Sequence, residues 1–276
     1  MSEVDPLLID ATTKIFEDLS DPQTLNSAKN DDWRFALWSA LEESGLTLAW
    51  VPSKNGGSGA TLADGFSILE VAGKFAVPIP LGETLLAGWL LPQGEINSPA
   101  GMMTIAPVRP RDKIELTAEN TLTGSVFGIP FASSVANIAV IANKDDRLYI
   151  ALVSSKDCTI TSKAGLSGDS RDTITFLNTQ PIQVSPAPKN MSTQDLHLMG
   201  ATVRSMQISG ALQSILKLAT DYAQERVAFE KQISKFQAVQ HNLAKLANET
   251  AVAIAAAGSA MDTINDLDTF NELVFF

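Results

Sequence analysis

Apolar residues recur at helical spacing at both ends of this chain and crowd into short runs in its middle. After Asp5-Pro6, an N-cap followed by a first-turn proline, Leu7, Leu8, Ala11, Ile15, Phe16 and Leu19 share one helical face. A second helix, capped by Asp31 or Asp32, carries Trp33, Leu37, Ala40 and Leu41 and stops at Ser44-Gly45. A third follows the turn Gly56-Gly57-Ser58-Gly59, with Leu62, Phe66, Leu69 and Val71 inward, and ends at Pro78, Pro80 and Gly82.

Between Ala100 and Pro188 the pattern changes to runs rich in Val, Ile, Thr and Phe separated by turns. Met102–Ala106, Ile114–Ala118, Ala136–Ala142, Leu148–Val153 and Thr173–Leu177 read as strands, and Asn143-Lys144-Asp145-Asp146 reads as a hairpin turn. They predict a compact β barrel or sandwich, with Pro181, Pro186 and Pro188 as a linker. From Ser192 helical spacing returns: Leu198, Val203, Met206, Leu212, Ile215, Leu218 and Tyr222 mark one long helix. Val239, Leu243, Leu246, Ala251 and Ile254 mark another, beginning at Gln237. The expected class is α+β, with domains at residues 1–99 (helical), 100–188 (β) and 189–276 (helical).

Charge and rare residues narrow the chemistry. The chain carries 31 acidic residues against 20 basic ones, without a run of Lys and Arg. Nucleic-acid binding requires a basic stripe, so no nucleic-acid partner is expected. Cys158 is the only cysteine, and His197 and His241 are the only histidines; this argues against a disulfide, a thiolate cluster or a His-based zinc site. The acidic start, Met1 to Asp5, lacks the apolar core of a secretory signal. Leu81–Leu91 is too short to span a bilayer and holds Glu83. A cytoplasmic protein without membrane partners is expected. The four-residue glycine turn before a helix could expose amides to a phosphate, but no GxGxxG or Walker pattern accompanies it, and the plainer reading is a tight turn.

The stretch Tyr222 to His241, YAQERVAFEKQISKFQAVQH, read from charge alone is a helix–loop–helix with a solvated face. As a whole it resembles the acyl-CoA dehydrogenase family, whose long helix ends in Y-A-x-x-R-x-x-F-G and continues I-x-x-F-Q-x-V-Q-H-x-L-A. Tyr222, Ala223, Arg226, Phe229, Ile233, Phe236, Gln237, Val239, Gln240, His241, Leu243 and Ala244 fit that run. Two weaker likenesses stand upstream in the same order: Val51 to Gly59 is similar to the family's P-x-x-x-G-G-x-G turn, and Leu166 to Thr173 to the element before its last β strands. The resemblance implies an acyl-CoA dehydrogenase-like fold with a helical N-terminal part, a β barrel or sandwich, and an incomplete helical bundle. It also implies an FAD cofactor, an acyl-CoA substrate, and a homologous subunit as partner. Arg226, Phe229 and Gln237 are then cofactor-binding candidates, because a guanidinium fork suits a pyrophosphate and a carboxamide both donates and accepts.

The departures from the family carry equal weight. Ala228 stands where a hydroxyl often holds the flavin, and Glu230 replaces the glycine after the phenylalanine. Met102 to Pro107 lacks the tyrosine and acid of the family's Y-x-x-T-E-P stretch, and Gly128-Ile129-Pro130-Phe131 replaces its W-I-T-N. Gly200 occupies the place of the isovaleryl-type catalytic glutamate, and the other usual position falls beyond Phe276, after an apolar run without a helix stop. No catalytic residue is therefore assigned. The resemblance points to the non-catalytic half of a hetero-oligomer performing α,β-desaturation, with FAD bound mainly by the partner. Two alternatives remain open: a homo-oligomeric flavoprotein with a divergent pocket, and a flavin-free structural relative.

Overall fold

A computed structural model describes residues 4–27, 32–166 and 169–264. Five helices come first: α1 (Pro6–Leu19), α2 (Pro22–Ser27), α3 (Asp32–Glu43), α4 (Leu62–Phe75) and α5 (Leu81–Leu90). Asp5 caps α1 by accepting from the Leu7 amide, as its sequence predicts. The expected cap at Asp31 lies outside the described residues. Between α3 and α4, Gly56 and Gly59 adopt positive φ, 85° and 64°, and Thr61 with Asp64 closes the start of α4 in a capping box. The Asp64 carboxylate accepts from the amides of Thr61 and Asp5. A carboxylate already fills the place an anion would take, so the glycine turn serves geometry.

Helix α5 is a correction: Pro80 and Gly82 do not end a helix but open one. Pro80 is its N-cap, and nearly every residue from Leu81 to Leu90 is buried. Buried all round, the segment has no polar face and thus no amphipathic period to read.

The middle of the chain forms eight strands: β1 (Met103–Ala106), β2 (Glu115–Leu116), β3 (Leu122–Pro130), β4 (Asn137–Lys144), β5 (Arg147–Ser154), β6 (Thr159–Thr161), β7 (Arg171–Thr179) and β8 (Gln183–Pro186). They join in one mixed sheet of order β6-β7-β3-β2-β4-β5-β8, with β1 parallel to β4. The β4–β5 hairpin turns at Asp145 and Asp146, both at positive φ, with Lys144 opposite Arg147. Pro186 does not belong to a linker: β8 pairs with β5 at the sheet edge, where a proline is tolerated.

Two cores meet at the central strands. Along β4, Ile138, Val140 and Ala142 enter the core of the β unit, while Ala139 and Ile141 enter the helical core. In β5, Ala151 and Val153 face one core, and Ile150 and Leu152 the other. Strands buried on both faces read as unbroken apolar runs, which is the pattern their sequence shows.

The chain then enters α6 (Thr193–Glu225), opened by a Ser192/Asp195 capping box. A two-residue hairpin, β9 (Val227–Ala228) with β10 (Lys231–Gln232), leads to α7 (Gln237–Asp262). Helix α6 lies tightly against α4: a Cβ on Gly210 would collide with the Glu70 carbonyl. Ser209 and Gln213 both donate to the Glu70 carboxylate, at 2.8 and 2.7 Å. Among the described residues no helix is long and apolar enough to cross a membrane. The expected apolar end, Leu273 to Phe276, lies outside them.

Candidate functional site

The three predicted cofactor residues gather at one exposed corner. Arg226 is the C-cap of α6: its amide donates to the Tyr222 carbonyl at 2.9 Å, and its carbonyl accepts from the Ile233 amide at 2.9 Å. The β9–β10 turn is Phe229-Glu230, both at positive φ (51° and 63°). That conformation explains why a glycine would suit the second position, and here Glu230 takes it with its side chain in solvent. Phe229 is 89% exposed, touching the ring of Phe236 edge-to-face at 6.2 Å. The Lys231 ammonium lies over the Phe236 ring at 4.4 Å. Gln237, the first residue of α7, is exposed. Backbone and aromatic contacts fix this corner, leaving Arg226 and Gln237 exposed.

A second site lies inside. A cavity of about 470 Å³ opens between α5, α6 and the sheet, a volume ordinary for a small-molecule pocket. Ile105 and Pro107 come from one of the two divergent stretches singled out in the sequence, Gly128 and Pro130 from the other; Gly200 faces them from α6. Gly128 sits at φ 72° where the β3–β7 register slips between Phe127 and Ile129. A Cβ on Gly200 would meet nothing within 4 Å, so its missing side chain contributes open space. Arg226, Phe229 and Gln237 do not line this cavity.

Sequence reasoning missed an acid in the cavity wall. Glu83, on the unread helix α5, is only 2% exposed and ion-paired through Oε1 with Arg204 of α6; Oε2 has no partner among the described residues. Arg204 also donates to Gln207 at 2.6 Å. His197, one turn before Gly200, lines the same cavity; burial pushes its pKa down toward the neutral imidazole.

Asp172, in the β region, is structural. It is fully buried, and Oδ2 accepts from the Ser133 amide at 2.7 Å and the Ser170 hydroxyl at 2.8 Å. Oδ1 accepts from the Lys163 amide at 3.2 Å. Burial alone would raise its pKa, but these hydrogen bonds together hold it below the ordinary carboxylate value.

Comparison with known proteins agrees with this architecture. Residues 193–272 match the family described as acyl-CoA dehydrogenase, C-terminal domain. The chain is 26% identical over 267 residues to acyl-CoA dehydrogenase IpdE2 of Mycolicibacterium smegmatis, covering 95% of this chain and 78% of that protein. Among solved structures it is similar to the Tcur3481–Tcur3483 steroid ACAD G363A variant, with a TM-score of 0.82 at 20% identity, covering 97% of this chain and 80% of that one. It is also similar to the ChsE4–ChsE5 complex from Mycobacterium tuberculosis, with a TM-score of 0.77 at 19% identity over 98% and 81% of the two chains. At those identities the structural likenesses speak to the fold.

Proposed function

The chain belongs to the acyl-CoA dehydrogenase family, and from that premise we propose that it is the non-catalytic half of a hetero-oligomer that desaturates an acyl-CoA at its α,β bond. A homologous subunit provides the base and most of the FAD site. This chain lends Arg226, Phe229 and Gln237 from its exposed corner, with Arg226 and Gln237 toward the pyrophosphate. The observation that carries the reading is the contrast between the two sites. The corner keeps the family's residues and leaves them exposed, whereas the internal cavity has Gly200, Gly128 and Pro130 where the family's base, aromatic face and hydroxyl belong.

When bound, the flavin supplies the hydride acceptor. The remaining requirement is a carboxylate beside the α carbon, and the one acid lining the cavity among the described residues, Glu83, is held by Arg204. The chain by itself, supplied with FAD and several CoA esters, is therefore expected to show no turnover with an artificial electron acceptor. Co-expression with a dehydrogenase-like partner is expected to yield a yellow complex that turns over. Robust turnover by the isolated chain, abolished by Glu83→Gln, would reject the non-catalytic reading and make Glu83 the base.

The assembly surface has support of its own. Ile208, Ile215, Leu218 and Tyr222 of α6 and Val252 and Ile254 of α7 are exposed, and of α7 only Thr250, Ala257 and Ala260 are buried. Exposed apolar side chains in that number on two adjoining helices mark an interface.

A further inference from the structure

Three of the chain's seven arginines, Arg109, Arg171 and Arg204, line the internal cavity, and among the described residues no lysine does. They converge from the loop after β1, the first residue of β7 and the middle of α6. Among the described residues of the lining Glu83 is the only acid, so the wall carries a formal surplus of two positive charges in a chain whose total is −11. Arg171 and Arg204 also border an adjoining cavity of about 380 Å³, so both lie where the two spaces meet.

Each guanidinium is steadied by one acid. Glu83 holds Arg204 through a single nitrogen, Asp169 holds Arg171 at 3.0 Å, and Asp112 lies 3.9 Å from Nε of Arg109. A guanidinium carries five N–H donors, so these contacts orient the forks and leave donors free. All three side chains stay about half exposed, at 55%, 44% and 42%. The rest of the wall is largely apolar, with Leu86, Ile105, Val108, Pro130 and Leu196.

We infer that this cavity binds a ligand with an apolar body and a terminal carboxylate, the carboxylate met by the arginine forks and the body by the aliphatic wall. A planar guanidinium matches a carboxylate in paired, charge-assisted bonds, and preference for arginine over lysine is the mark of such recognition. Glu83 acts here as a positioning residue for Arg204. The corner residues take no part, so this inference and the flavin reading stand or fall separately.

Calorimetric titration of the purified full-length chain with octanoate, 1-octanol and acetate, without flavin, tests it. Octanoate should bind roughly tenfold tighter or more than either other probe, the gain expected from a charge-assisted bond. Arg109→Met and Arg171→Met should each weaken octanoate and leave 1-octanol unchanged. Arg204→Met is made together with Glu83→Gln, so that no buried carboxylate is left unpaired; it should do the same. Melting curves identify any variant that misfolds, and Arg109→Met, on an exposed loop, keeps the test decisive. Equal affinity for octanoate and 1-octanol, or octanoate binding untouched in the folded arginine variants, would overturn the inference.

Discussion

Replacing Asp172 by Asn isolates what a buried carboxylate does for this fold. The side chain sits at the second residue of β7 and is fully buried. It gathers the Ser133 and Lys163 amides and the Ser170 hydroxyl onto its two oxygens. Asparagine keeps the shape but offers one acceptor. If its oxygen takes the Ser133 and Ser170 donors, its NH2 group confronts the Lys163 amide, donor against donor. One charge-assisted hydrogen bond is lost outright and two become neutral, a cost of about 2–4 kcal/mol. For a chain of this size that lowers Tm by roughly 5–15 °C. The pH dependence has a definite sign. The folded pKa lies below the unfolded value, near 3.9 for a free aspartate. The stabilisation is therefore complete above about pH 4 and is lost as pH falls through the folded pKa. Thermal melts of Asp172→Asn against the parent should show a constant gap from about pH 5 to 8 that narrows in acid. Unchanged Tm across that range would refute the structural role. So would loss of turnover in a partner complex that remains folded.

Arg226→Ala should leave Tm nearly unchanged, because Ala keeps the backbone cap. Flavin retention by the co-expressed complex should fall roughly 10- to 150-fold, the worth of about 1.5–3 kcal/mol; flavin content and melting curves together check this. Gly210→Ala should cost about 1–3 kcal/mol by forcing α6 off the Glu70 carbonyl, read by denaturant unfolding. Sedimentation of the purified chain at micromolar concentration should show an oligomer joined through α6 and α7, and a stable monomer would remove that interface.

How far the sequence reached depended on whether each signal was local. The starts of α6 and α7 and the β4–β5 turn were legible, because Ser192 with Asp195, the break before Gln237, and Asp145-Asp146 act within a few residues of themselves. The family and its corner were legible for the same reason, since Arg226, Phe229 and Gln237 lie within one contiguous run. Strand β3 was missed because Gly124 and Gly128 interrupt its alternation, the second at a bulge. Helix α5 was missed because tertiary packing buries all its sides, which erases the polar face that periodicity needs.

What the linear chain determined by itself is the helical–β–helical order of its regions, the Asp5 cap and the β4–β5 turn, and the motif it shares with its relatives. Only the tertiary structure decided that α5 turns Glu83 to Arg204, and that Asp172 is consumed by backbone amides. It alone brought Arg109, Arg171 and Arg204, up to 95 residues apart, onto one cavity. The physical reason is that capping and periodicity act over a turn or two of chain. Charge complementarity and desolvation act through space, between segments that no sequence window holds together.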